Sequence, residues 1–269
     1  MSQNTYTFPE EVVKLYMEEE YAQVCSEGVN YIKSIANAPD SLRSALFVRL
    51  AYFFSWVYDF YYTNIFLGEW NKCYPNGIQL EKIDPNQHAD FLTIKAVEAK
   101  QDGRIDHALD TLKMAIQIRQ PKTTLDWAIQ ADGYQFLGNL EKTVQDYSQA
   151  ILNFNEAENI NKSIGRTNAI FGIWIEKARA SIEIDPKDPK ILIDLRKSLA
   201  HYQENGNKKK ESFAYNELGN YWKVQQNFGK AINYFRQYLD IEERNINTEN
   251  IHVAYNNLSA TYNFMNNSD

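Results

Sequence analysis

The sequence predicts an all-α protein, a superhelical solenoid of stacked helix pairs. Three observations carry that prediction. The 269 residues include only 11 Gly and 7 Pro, too few for a loop-rich β-sandwich. Helix-length segments alternate with short polar breaks along most of the chain. Bulky aromatics recur at Tyr134, Trp174, Tyr215 and Tyr255, separated by 40, 41 and 40 residues, and each is followed four positions on by a small residue: Gly138, Ala178, Gly219 and Ser259. A period of that length made of two helices marks units that bury their cores against their neighbours.

Taken from the N-terminus, Val12, Val13, Leu15, Tyr16 and Tyr21 mark a short helix after Glu10, and Val24, Val29, Ile32 and Ile35 mark a second. Pro39-Asp40-Ser41 stops that helix and caps the next. Ala45 to Phe66, ALFVRLAYFFSWVYDFYYTNIF, reads as one long helix, apolar on most sides and buried between neighbours. It has the length of a bilayer span, but Arg49 and Asp59 inside it would each cost about 2.5–3.5 kcal/mol on insertion. Its bulk is aromatic rather than leucine, and a membrane span is not expected. Over residues 67–86, Gly68, Pro75, Asn76-Gly77 and Pro85 predict an irregular loop. Further breaks are expected at Asp102-Gly103, Gln120-Pro121, Asn139 to Lys142, Asn161 to Gly165, Pro186 to Pro189, Asn205 to Asn207, Asn227 and Asn245 to Asn250.

Composition narrows the function classes. A net charge of -7 argues against a direct nucleic-acid binder, which needs a basic face. The polar start, Met1 to Pro9, shows no secretory signal, so a cytoplasmic location is expected. Cys25 and Cys73 make neither a disulfide framework nor a metal site. His88, His107, His201 and His252 lack metal-ligand spacing, and no phosphate loop, nucleophile elbow or kinase signature occurs. No catalytic residue, metal or cofactor is predicted, and an enzyme built on the N-terminal helices has no motif behind it.

The second helix of each unit repeats as well. Ala150, Phe154 and Ala157 return 81 residues later as Ala231, Phe235 and Tyr238, with an earlier version at Ala108, Leu112 and Ala115. A small residue on one helix lets its partner approach closely, and the aromatic four positions before it covers the same face. Tyr215, Leu218, Gly219, Trp222, Ala231 and Phe235, with the turns Gln226 to Ala231 and Asp102 to Ala108, resemble the tetratricopeptide repeat family. The spacing near 40 exceeds the family's commoner 34, and Lys177 and Glu141 stand where an apolar residue is expected. The resemblance implies a right-handed superhelix of about six pairs. Residues 1–85 would be a degenerate N-terminal helical region and residues 86–269 the repeats, ending in a capping or truncated helix.

It also implies which face is the groove. Residues one, five and eight beyond the aromatic would line the concave surface: Gln135, Asn139 and Lys142; Ile175, Arg179 and Ile182; Asn216, Asn220 and Lys223; Asn256, Ala260 and Asn263. A carboxamide offers both donors and an acceptor, and so matches the C=O and N–H of an extended peptide. Lys and Arg would hold a carboxylate. Asn139, Arg179, Asn216, Asn220, Lys223, Asn256 and Asn263 are therefore the candidate peptide-binding residues. The family resemblance implies a non-catalytic scaffold with a protein or peptide partner and no membrane. The alternative is a peptide-sensing regulator, or the sensor region of a longer bacterial one, and a second copy of the chain is the other candidate partner.

Overall fold

The computed structural model describes residues 8–74, 78–245 and 248–266, so the expected Asn76-Gly77 turn lies outside it. Among the described residues the fold is all-α. Helices α1 (Glu10–Met17) and α2 (Tyr21–Ser34) open the chain, then α3 (Asp40–Trp56), α4 (Phe60–Lys72) and a one-turn 3-10 helix at Leu80–Lys82. They are followed by α5 (Pro85–Gln101), α6 (Ile105–Ile118), α7 (Thr124–Thr143) and α8 (Tyr147–Ser163). The last five are α9 (Thr167–Ile184), α10 (Pro189–Glu204), α11 (Lys208–Val224), α12 (Phe228–Arg244) and α13 (Thr248–Asn266). In chain order they make six pairs and a thirteenth helix. Partners pack within α1/α2, α3/α4, α5/α6 and α11/α12, and successive pairs meet through α2/α3, α3/α5, α6/α7, α10/α11 and α12/α13.

Most of the breaks read from the sequence are the chemistry that ends helices. Asp84 caps α5 by accepting the Asn86 N–H at 2.8 Å, with Pro85 at the first helical position; Asp188 and Pro189 repeat the device on α10. Asn207 and Asn227 cap α11 and α12 by accepting the N–H groups of Lys210 and Lys230. Gly103, Gly165 and Gly206 take left-handed φ values of 75°, 72° and 68°. After each, the next N–H reaches back to close a Schellman turn, Arg104 to Ala99 O, Arg166 to Asn161 O and Asn207 to Tyr202 O. Gln226 serves the same turn with φ 57° although it is not glycine, and Asn227 N–H bonds Trp222 O at 2.9 Å. One local device therefore recurs along the chain.

Two sequence expectations are corrected. Ala45 to Phe66 is not one helix but two. Tyr58 adopts φ 57°, and the Asp59 carboxylate accepts the Tyr62 N–H, so α3 stops and α4 folds back against it. The rings then stack between the two helices, Phe54 on Tyr62 at 5.1 Å and on Phe66 at 5.6 Å. α4 also runs on to Lys72, further into the irregular stretch than its glycine suggests. The break expected at Asn139 to Lys142 falls later, because α7 continues to Thr143 and Gln145 takes the left-handed turn at φ 64°.

The chain divides into two compact units, Met1–Val144 with Glu156–Asn168, and Gln145–Asn155 with Ala169–Asp269. In the first, α3 is the core helix, with Leu46, Val48, Leu50, Ala51, Tyr52 and Phe53 buried against Phe8, Val12, Tyr16 and Val24. Of its charged side chains, Arg49 ties it to two further helices. Arg49 bonds Asp90 on α5 and Asp126 on α7, at 3.1 Å to the latter, while Arg119 takes the other oxygen of Asp90 at 2.7 Å. No helix of the described residues is long and apolar enough to cross a membrane. Asp126 also closes the capping box of α7 with Thr123. Burial alone would raise its pKa, but the Arg49 charge and hydrogen bonds from Thr123 and the Lys122 N–H outweigh that and hold it below the ordinary aspartate value. A depressed carboxyl gives stability above its unfolded pKa, about 3.9, that is lost as pH falls through the folded value. Asp126→Asn should therefore lower the urea midpoint at pH 7 and show a shrinking deficit below about pH 4. An equal deficit at pH 2.5 would mean that the carboxylate charge contributes nothing.

In the second unit, Ile175, Ala178 and Ile182 of α9 pack with Ile191, Leu195 and Tyr202 of α10 and with Ala214, Leu218 and Tyr221 of α11. Ala231, Ile232, Phe235 and Leu258 form a further cluster from α12 and α13. The repeat register is visible in it: a Cβ built on Gly219 would lie 2.5 Å from the ring of Phe235. On α13 the register is only half used, since Leu258 is buried while Tyr255 is 52% exposed.

Candidate functional site

The residues that the register assigns to the groove have three different fates. Ile175 and Ile182 do not face a groove; both are buried with α10 and α11, because apolar side chains at those positions are drawn into the core. Asn139 belongs to the first unit, half-buried on α7, with its Oδ1 buried and without a hydrogen-bond partner. Asn256 and Asn263 are exposed on α13.

In the second unit Asn216, Asn220 and Lys223 of α11 lie around a residue that the repeat register does not select, Glu217, and the charge of Arg179 on α9 acts on Lys223. The Nδ2 of Asn216 donates to Glu217 Oε1 at 3.1 Å and the Nδ2 of Asn220 to Glu217 Oε2 at 3.2 Å. Asn216 accepts in turn from Asn257 Nδ2 at 2.9 Å, which ties α11 to α13. Asn257, not Asn256 beside it, therefore continues the strip. Glu217 is buried, and two carboxamide donors satisfy the need of its charge for hydrogen bonds. Burial lowers the pKa of Lys223; Glu217 draws it back up, Arg179 pushes it down again, and Glu183 offsets part of that. Two cations from neighbouring helices thus share one partly desolvated surface with a row of carboxamides. The signal for Glu217 was in the sequence, as an acid one residue from one Asn and three from another, but its burial was not.

The remaining titratable groups give no reactive centre. Burial, with Asp59 nearby, pushes the Cys25 thiol up to about 12, and burial raises Cys73 as well, so neither is held as a thiolate. The ring of His201 stacks on Phe171 at 4.0 Å, and burial lowers the pKa of His88. Among the described residues no group of three or more His, Cys, Asp or Glu could hold a metal ion.

The other dense polar cluster is structural. In the first unit Arg166, fully buried, pairs with Asp132, donates to the Tyr21 hydroxyl at 2.8 Å, and lies over the Tyr16 ring. The Tyr16 hydroxyl donates to Asp132 at 2.6 Å. Burial and the Asp132 charge raise the Tyr16 pKa well above its ordinary value, so it stays a donor.

No protein-family model matches the chain, and no curated protein matches it either. Solved structures do. BtubC (BKLC) from P. vanneervenii is 17% identical, with 86% of this chain and 92% of that one covered and a TM-score of 0.59. The apo form of RapI is 14% identical, with 96% of this chain and 70% of that one covered and a TM-score of 0.62. At such identities the likeness shows the fold, and the fold is that of a helical repeat protein.

Proposed function

We propose that the chain is a non-catalytic, tetratricopeptide-like scaffold that binds an extended peptide along α9, α11 and α13. In this reading residues 86–269 are the repeats and residues 1–85 a degenerate N-terminal region. The observation that carries it is the juxtaposition of Arg179 and Lys223 beside Asn216 and Asn220. Glu217 and Glu183 offset part of the repulsion between Arg179 and Lys223, and an acidic side chain or terminal carboxylate beside the two cations would offset more of it. The carboxamides, oriented by Glu217, supply hydrogen bonds to peptide groups that do not depend on sequence. The likeness to the apo form of RapI supports the helical repeat fold on which this reading rests.

The test uses a peptide library with free C-termini, selected against the full chain and titrated by calorimetry. The selected peptides should be acidic. Arg179→Ala should weaken them by about 1.5–3 kcal/mol. The loss should shrink as salt rises, since the screening length falls from about 10 Å at 0.1 M to about 3 Å at 1 M. Arg179 is exposed, so melting should be unchanged. Asn220→Ala should lower both affinity and stability, because it also removes a donor from buried Glu217. Wild-type affinity in Arg179→Ala and Lys223→Ala would remove the site from this strip.

A further inference from the structure

α13 leaves open the face that its register would set against a second helix. In the α11/α12 pair Gly219 receives the Phe235 ring of α12, with Tyr215 and Trp222 on the same side of α11. Ser259 stands 40 residues after Gly219, and Tyr255 and Tyr262 stand 40 after Tyr215 and Trp222. Among the described residues no helix covers them: Ser259 is exposed, Tyr255 is 52% exposed and Tyr262 38%. The composition of this surface is unusual as well. α12 exposes Lys230, Arg236, Asp240, Glu243 and Arg244, whereas Glu249 is the one acidic or basic residue besides His252 in the whole of α13. Scarce charge with exposed tyrosine is the composition of the centre of a protein interface.

The symmetry of the face defines what fits it. Tyr255-Asn256 recurs seven residues later as Tyr262-Asn263, with Ser259 midway. Seven residues are close to two turns, so both tyrosines lie on one flank of the face and both asparagines on the other. In an antiparallel pair of α13 helices crossing at Ser259, a position before Ser259 lies level with the position equally far after it in the other copy. Tyr255 then meets the partner's Tyr262, within one residue rise of about 1.5 Å, and Asn256 meets the partner's Asn263. Rings face rings, and carboxamides face carboxamides that offer both donors and an acceptor. The small Ser259 at the crossing lets the two backbones approach closely. The charges agree. The Tyr255 hydroxyl donates to Glu243 Oε1 at 3.0 Å, and Arg236 Nη2 donates to the Tyr262 hydroxyl at 2.8 Å. α12 therefore holds an acid beside one ring and a base beside the other, both exposed. The same twofold brings Glu243 to the partner's Arg236, and does so twice. A parallel pair would set acid against acid and base against base.

We propose that this face joins two copies of the chain, α13 packing antiparallel on α13 of the second copy about a twofold at Ser259. The tyrosines and asparagines supply the contact. The exposed Glu243–Arg236 pairs add little strength and fix the direction of the pairing. Asn256 and Asn263, which the register assigns to the peptide groove, belong to this interface instead. Asn257, which ties α13 to α11, leaves the helix on the opposite side. The dimer therefore stands or falls independently of the peptide strip at Arg179 and Lys223. A face one helix wide lies at the low end of interface sizes, below about 1,200 Å², and a dissociation constant of about 10–100 µM is expected.

The experiment is sedimentation velocity of the full chain at loadings from about 2 to about 200 µM, which bracket that constant. The weight-average coefficient should climb from that of a monomer towards that of a dimer. Ser259→Trp, at an exposed position, should leave the thermal melt unchanged and weaken association at least about tenfold by holding the helices apart. Arg236→Glu and Glu243→Arg should each weaken association on their own, because like charges then meet across the twofold. An equimolar mixture of these two variants should dimerise again, since each chain supplies the sign that the other lacks. Both variants stay net negative, so overall charge cannot draw them together. A monomer at every loading, a dimer that Ser259→Trp leaves intact, or a mixture no more associated than its components would each overturn the proposal. Should Ser259→Trp fail to fold by circular dichroism, the mixture of charge variants decides alone.

Discussion

Asp132→Ala should destabilise the first unit by about 3–5 kcal/mol, the cost of leaving a buried charge without its partner. The substitution strands the Arg166 guanidinium, which is fully buried, and takes the acceptor from the Tyr16 hydroxyl in the same step. Surface ion pairs contribute about 0–1 kcal/mol, so the size of the loss separates a buried network from a decorative one. Hydrogen exchange should place the loss in α1 and α7, the helices that carry Tyr16 and Asp132. Adding Arg166→Met should then recover most of the stability, because an apolar replacement of both charges is often neutral. Fully additive costs in the double variant would show that the two side chains do not act as a pair.

Gly219→Leu is the second large effect, and its sign is diagnostic. Gly is a poor helix former, so at an exposed helical position the substitution would stabilise by up to about 1 kcal/mol. At this position a Cβ would come within 2.5 to 2.8 Å of three atoms of the Phe235 ring. Phe235 is fully buried and has no free volume to retreat into. Overpacking of this kind costs about 1–3 kcal/mol, and the added leucine carries three more carbons beyond the Cβ. A thermal melt should fall, with Gly219→Ala already lower than wild type. A rise for either variant would mean that α11 and α12 do not meet through this face.

The helix pairs, their ends and their repeat register could be read from the sequence because each is set locally. An Asn or Asp caps the next N–H groups, a Gly takes the left-handed turn, and a small residue three or four positions from an aromatic lies on the same helix face whatever packs there. That a partner helix approaches closely at Gly219 follows from that logic; that the ring of Phe235 is what arrives there does not. Where the chain reverses within an aromatic run does not follow from it either. Val57-Tyr58-Asp59 has no glycine or proline, and Tyr58 accepts a left-handed conformation only because Phe54, Tyr62 and Phe66 gain ring contacts when α4 folds back. The charged groups divide in the same way. Arg49 meets Asp90 and Asp126, 41 and 77 residues away, only when α3, α5 and α7 pack, and Asp132 of α7 meets Arg166, 34 residues on and just before α9, so spacing could not announce either group. For the candidate strip, periodicity selected Arg179, Asn216, Asn220 and Lys223, whereas tertiary packing brought in Glu217 and Asn257 and took Ile175 and Ile182 into the core. Helical period fixes the direction in which a side chain leaves its helix. What it meets there, a carboxylate, a cavity or another ring, depends on which neighbouring helix arrives, and only the tertiary structure decides that.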